Sequence, residues 1–500
     1  MPAFLVGCGS GYGPDVVPVP LASITLPTEP YQLISKLGCA KQDVDLNTGL
    51  TLLKRPATDD APCINAALAK ATPKNPVVLV QDGASLVSGI HGPASGNWSI
   101  YGLGGGFHAL GEPFGTGFYQ KAGTNDDVIH NGPPGAGCSF GFSDPARAIA
   151  GPPPARGSHI VLHNFAINGN RGDGYSGNST HGKAQGVGND CWYIGINMMD
   201  MNDVDISGIT FFNTSSYNLR LSNVGSSTVS HSIFANSGLY PANRLTAEND
   251  DGTHINGPAN DVTISDNLYV TGDDAIALNA PEGWGGLIQN ITIKNSTSRS
   301  AHSLVRLYTR SENVLPGRAI PEIRDVTIQN YNGTGDICAD FGLEVPRTMT
   351  RTATISHVKW SDSTCTADWG NLLMENVADV EFSNFTWRTA GMERGFMNSL
   401  FVAAQAEQLT FNNVTIDRGD KPNPTALIEA TIATYFYPVG SLHVNKVDIN
   451  GLKVTRGHMQ DVIHTLPASV FDEVNATQID FSNITTMSNN PSGIGVLNRY

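Results

Sequence analysis

Charge is scarce in this sequence, and positive charge scarcer still. Asp, Glu, Lys and Arg together make 15% of 500 residues, with 30 cations against 45 anions and a net charge of −15. Phosphate binding needs clustered Lys and Arg, so a nucleic-acid groove is not expected. No apolar run reaches the about 18 residues of a membrane span. No pair of cysteines has C-x-x-C spacing, which argues against a zinc site, and no metal or other cofactor is expected. A helical enzyme would carry more Lys, Glu and Ala on its surface. What is abundant is Gly, at 54, together with Asn. That composition suits short strands joined by tight turns.

The first residues include Leu5-Val6-Gly7-Cys8, similar to a bacterial lipoprotein processing site in which Cys8 would be acylated; the alternative is a chance cysteine. Six further cysteines remain: Cys39, Cys63, Cys138, Cys191, Cys338 and Cys365. In an exported chain they permit up to three disulfides in about 15 pairings. The local pairs Cys39–Cys63 and Cys338–Cys365 are the simplest. A secreted, cell-surface or periplasmic location is expected.

Residues 1–54 are Pro-rich and irregular, and read as a linker and the approach to a domain over 55–500. An Asp at the N-cap, a Pro in the first turn and apolar residues at helical spacing predict a short helix within Asp59–Ala71. Val77–Val80 follows as a buried strand. A unit then recurs: Asn202-Asp203-Val204-Asp205-Ile206-Ser207, Asn260-Asp261-Val262-Thr263-Ile264-Ser265, Gln289-Asn290-Ile291-Thr292-Ile293-Lys294 and Arg324-Asp325-Val326-Thr327-Ile328-Gln329. Weaker copies start at Ala378, Glu407, Ser441 and Thr477. Each alternates apolar and polar residues, the mark of a half-buried strand. No helix lies between them, so a βαβ fold is excluded. Three short strands per coil, stacked at about 4.8 Å, fit the repeat. The expected fold is a single-stranded right-handed parallel β-helix with an N-terminal capping helix. The N-x-S/T triplets at Asn290, Asn295, Asn332, Asn384, Asn413 and Asn483 are read as Asn turns before β-branched strands rather than as glycosylation acceptors.

The chemistry concentrates between Asn249 and Arg310. Asp251 and Asp273 are 22 residues apart, about one compact coil, so the pairs Asp250-Asp251 and Asp273-Asp274 should stack on adjacent rungs. His302 joins them on the third rung if Pro281–Gly286 bulges out as a loop. Crowded carboxylates cannot all ionise freely. Glycoside hydrolysis needs that split between a protonated and an ionised carboxyl. Asp250, His254, Trp284, Arg306, Tyr308 and Arg310 are candidate substrate contacts, with Trp284 and Tyr308 offering aromatic faces for sugar rings.

These residues resemble glycoside hydrolase family 28, the polygalacturonase and rhamnogalacturonase group of the pectin-lyase-like superfamily. Its Asn-Thr-Asp-Gly matches at Asn249, Asp251 and Gly252, and its Gly/Gln-Asp-Asp at Gly272-Asp273-Asp274; His302 alone remains of its Gly-His-Gly. The resemblance covers about Asn202–Gln329 and implies Asp273 as general acid. It implies that Asp251 and Asp274 deprotonate the attacking water, with inversion, and that His302 tunes the acid or orients the substrate. The family's Arg-Ile-Lys has no match, since that rung reads Ile337-Cys338-Ala339-Asp340-Phe341, and a family aspartate is replaced by His254. A rhamnose-containing or neutral glycan is therefore favoured over polygalacturonate, with Arg306 or Arg310 as alternative cations for a uronate. The competing readings are a Ca²⁺-dependent polysaccharide lyase or epimerase, and a non-catalytic, tailspike-like glycan binder.

Overall fold

The computed structural model describes residues 26–45, 52–53, 57–103, 115–124, 126–132, 151–170, 194–214, 216–235, 250–309, 319–342, 354–367, 371–373, 377–389, 399–403, 405–418, 426–430, 442–465 and 469–499. Cys8, Cys138, Cys191, Asn249 and Arg310 lie outside them. The chain forms two compact units. One comprises residues up to Asp274 with Glu282–Trp284, and the other Ala275–Pro281 with Gly285 onward. The architecture is the expected right-handed parallel β-helix with a short N-terminal capping helix. Strands of the long sheet pair in parallel from rung to rung, whereas Val44–Asp45 pairs antiparallel with Leu52–Leu53.

In the first unit, alternation turns one set of side chains inward, and parallel pairing stacks like on like. Leu79, Ile100, Leu162, Ile206, Val229 and Ile264 form one such column. Phe118, Ile167, Phe211, Phe234 and Tyr269 form another. Phe211, Phe234 and Tyr269 stack face to face at 4.8 and 4.7 Å, the rung spacing itself. The capping helix is Ala61–Leu68, and it buries Ala61, Cys63, Ile64, Ala67 and Leu68. Asp60 is its N-cap residue, but its carboxylate accepts from the Lys41 and Gln42 amides instead of the helix. Asp59 takes the Ala61 amide in its place. The Cys39–Cys63 disulfide ties the segment before the helix to the helix itself.

The second unit repeats the plan. Ile293, Ile328, Trp360, Phe382, Phe411, Ile449 and Ala476 stack as one column. The Cys338–Cys365 disulfide joins two of its strands. Its corners explain the Asn-rich composition. Asn295, Asn330, Asp362, Asn384 and Asn413 all have φ between 50° and 53°, in the left-handed region where Asn and Asp are the best-tolerated side chains after Gly. The triplet asparagines Asn290, Asn295, Asn384 and Asn413 are therefore corner residues, as their sequence context suggests. Asn332, by contrast, opens the strand Asn332–Gly335 and is not in the left-handed region.

Candidate active site

The aspartate pairs sit in turns of the first unit. Asp250-Asp251 immediately precedes the strand Thr253–Ser265, and Asp273-Asp274 follows the strand Leu268–Val270. The two turns are on adjacent rungs. The Gly252 amide donates to the Asp274 carbonyl at 2.9 Å, and the Gly272 amide donates to Asp250 Oδ2 at 3.2 Å. One carboxylate oxygen from each of Asp251, Asp273 and Asp274 lies within 4.8 Å of the others. The spacing of about one coil thus brings together the three residues expected to meet. Their exposure is unequal: Asp251 is 3% exposed and Asp274 1%, while Asp273 is half-buried and faces solvent in part.

Beneath Asp251 is a polar clamp that the sequence did not reveal. His254 is fully buried and uses both ring nitrogens, Nδ1 against Asp251 Oδ2 at 2.5 Å and Nε2 against Glu282 Oε2 at 2.7 Å. Glu282 Oε2 also accepts from Asn256 Nδ2 at 2.8 Å, and Asn256 Oδ1 accepts from Arg220 Nε at 2.5 Å. The ring of Tyr217 stacks on His254 at 3.9 Å. Parallel register accounts for part of this, since Arg220 pairs with His254 and Ser222 with Asn256 on neighbouring strands. Glu282 comes from the expected Pro281–Gly286 loop, and its carboxylate reaches His254 and Asn256. Gly283 permits the approach: its φ is +62°, and a Cβ there would stand 2.5 Å from Ser222 Oγ.

Burial pushes Asp251 well above the usual carboxylate range; the hydrogen bond and charge of His254 oppose this, and Asp273 and Asp274 reinforce it. Burial also disfavours the charged form of His254, but Glu282 and Asp251 outweigh it and push the imidazole up to about 9. At a spacing of 4.8 Å, each pair of ionised carboxylates repels by about 3–4 kcal/mol at an effective dielectric near 20. Asp251 therefore holds a proton more tightly than a solitary carboxylate, and His254 places a positive charge behind it.

Several candidate substrate contacts take other roles. His254 cannot line a cleft, because it is enclosed with both nitrogens engaged. Asp250 is 1% exposed and anchors the Gly272 amide. Trp284 is half-buried, and its indole N–H donates to Asp200 Oδ1 at 2.8 Å, so its polar edge is fixed against the protein. In the second unit Tyr308 is fully buried and offers no face to a sugar; half-buried Arg306 lies 5.0 Å over its ring. His302, the remaining catalytic candidate, is half-buried in the same unit, with Nδ1 3.3 Å from Asp336 Oδ2. Glu282, Tyr217, Arg220 and Asn256 were missed. The only available signal was an isolated Glu in the loop already expected to lie near the site.

No protein-family model matches this chain, and no curated protein matches it in sequence. Solved structures do. A tailspike protein of the E. coli bacteriophage HK620 aligns over 93% of this chain and 78% of its own, with TM-score 0.54 and 9% identity. A family 28 exopolygalacturonase of Yersinia enterocolitica aligns over 94% and 78%, with TM-score 0.48 and 14% identity. A mannuronan C-5 epimerase module of Azotobacter vinelandii aligns over 92% and 100%, with TM-score 0.48 and 12% identity. The structural neighbours thus span a hydrolase, an epimerase and a tailspike, and at these identities the likeness speaks for architecture and not for chemistry. This chain has the fold of a parallel β-helix.

Proposed function

We propose that this protein is a secreted or surface-located glycoside hydrolase acting on a pectin-type, rhamnose-containing or neutral polysaccharide. The observation that carries the reading is the convergence of Asp251, Asp273 and Asp274 with only Asp273 open to solvent. Asp273, the reachable carboxyl, donates its proton to the departing glycosidic oxygen as the bond to the anomeric carbon breaks. Asp274 takes the proton of a water as its oxygen attacks that carbon, and Asp251 helps to hold that water. The rigid rungs keep the three groups in place. Two disulfides fit an oxidising compartment.

Acid and base in inverting enzymes usually stand about 6.5–9.5 Å apart, and retaining pairs about 5–5.5 Å apart. The nearest-oxygen spacing here, within 4.8 Å, is tighter than the first range. Inversion requires water to attack the sugar face opposite the departing oxygen, so Asp251 and Asp274 would hold the water on that face while Asp273 protonates the leaving group.

The test is release of reducing ends from a panel of pectic and neutral polysaccharides, with the first-formed anomer followed by NMR. Asp273→Asn should cut release by about 10²–10⁴-fold while the fold persists. Full activity in that variant would remove the assignment, and a retained anomer would remove the inverting mechanism. One observation favours a second reading: the same three carboxylates have the donor chemistry for Ca²⁺, as a lyase or epimerase would require. Loss of activity on chelation, with an unsaturated product absorbing in the ultraviolet, would support that reading. The charge that His254 brings to Asp251 weighs against it, because the buried carboxylate already has a cationic partner.

A further inference from the structure

The sequence around the candidate site occurs twice. Asn249-Asp250-Asp251-Gly252-Thr253-His254 has a counterpart in Asn125-Asp126-Asp127-Val128-Ile129-His130. Strand register shows that the two copies occupy the same place on the coil. His130 pairs with Asn197, Asn197 with Arg220, and Arg220 with His254.

The surroundings of the copies differ. Asp250-Asp251 faces Asp273-Asp274 on the next rung. At the earlier copy, the next rung places Ile194 against Val128, with its amide on Asp127 Oδ1. What the earlier copy gains is a second imidazole. His91 pairs in register with His130 on the preceding rung, and the two rings lie 4.2 Å apart. His91 Nε2 stands 2.8 Å from Asp126 Oδ2, and His130 Nε2 stands 3.3 Å from Asp126 Oδ1. Asp126 Oδ1 also accepts the Asp127 amide at 3.0 Å. His130 is 1% exposed; its Nε2 meets the Asp126 carboxylate without hydrogen-bond geometry, and its Nδ1 has no hydrogen-bond partner among the described residues. A buried imidazole without such a partner is costly, and a bound ion is one of its ordinary explanations.

We propose that His91, Asp126 and His130 form a binding site for a divalent late first-row transition ion of the Zn²⁺ type, separate from the carboxylate cluster. One donor atom from each residue lies within 4.8 Å of the others. Bonds of about 2.0–2.1 Å to a single ion place neighbouring ligand atoms about 2.9–3.4 Å apart; the 3.3 Å contact of His130 with Asp126 falls in that range, and the 2.8 Å contact of His91, made to the other carboxylate oxygen, lies just below it. Two imidazoles and one carboxylate suit Zn²⁺ and its neighbours, whereas Ca²⁺ takes six or more oxygens. The ion would join two successive rungs at the capped end. The Asn65 side chain of the capping helix already accepts the His91 amide there.

The full-length chain, stripped with chelator and dialysed, is offered Zn²⁺ or Co²⁺ at equimolar concentration. One retained equivalent is expected, with a rise of a few degrees in Tm and, for Co²⁺, the visible bands of a four-coordinate site. His130→Gln and the more exposed His91→Gln should each lose that equivalent and the rise in Tm; if His130→Gln does not fold, His91→Gln decides alone. Asp273→Asn should keep both, and Ca²⁺ should reproduce neither. No retained equivalent in the parent chain, unchanged binding in His91→Gln, or loss of binding in Asp273→Asn would overturn the assignment.

Discussion

Replacing Glu282 with glutamine removes one charge from the clamp beneath Asp251 and leaves its shape. The amide oxygen of the introduced glutamine can still accept from Asn256 Nδ2 and His254 Nε2, so the fold should survive. What changes is the proton on His254. Its pKa in the folded chain, pushed up to about 9 against an ordinary value of 6.5, makes it a group whose folded value is raised. Such a group contributes stability that is fully present below about 6.5 and is lost as pH rises through about 9. The window of about 2.5 pH units corresponds to about 3 kcal/mol. Glu282 supplies the largest charge interaction holding that proton, so the glutamine variant should lose most of this pH dependence. Urea denaturation at pH 6, 7.5 and 9.5 measures it. The parent chain should be more stable than Glu282→Gln at pH 6, and the gap should shrink by about 3 kcal/mol by pH 9.5. Comparing the two chains cancels the general repulsion of a protein carrying a net charge of −15. Parallel stability curves would show that His254 does not hold a proton against Glu282, and the positive charge assigned behind Asp251 would have to be abandoned.

Three further outcomes follow from the structure. Asp273→Asn should cut glycan cleavage by about 10²–10⁴-fold, the usual contribution of a general acid, and barely move the urea midpoint because Asp273 is half-buried. Phe234→Ala, which opens a gap between Phe211 and Tyr269 in the aromatic column, should cost about 3–5 kcal/mol in chemical denaturation. Changing both Cys338 and Cys365 to Ser removes a bridge between residues 27 apart and should cost about 2–4 kcal/mol, whereas reducing agent added to that variant should cost nothing more at this position.

The architecture was legible because it rests on local alternation. Val204, Ile206, Val262 and Ile264 announce their inward face by period-two spacing, and the structure buries all four. The coil length, read from Asp251 and Asp273, was enough to bring their carboxylates together. It could not tell which of them meets solvent, because exposure depends on chain that folds over the turn. The clamp was illegible for the same reason. Glu282, Arg220 and Tyr217 are far from His254 in sequence, and only coil-to-coil register and the Gly283 turn make them neighbours. Tyr308 was misplaced because strand alternation next to a turn does not say whether a side chain off the core is covered by other chain. Structure finds it fully covered.

The asparagine corners carry a consequence for producing this protein in a cell that attaches sugars to N-x-S/T sites. Asn384 and Asn413 hold equivalent corners of successive rungs, and the Asn413 amide donates to the Asn384 side-chain oxygen at 3.2 Å. Rungs are about 4.8 Å apart, much narrower than a branched oligosaccharide. Occupancy of one corner therefore blocks its neighbour, so mass spectrometry of such material should find chains modified at either position and none at both.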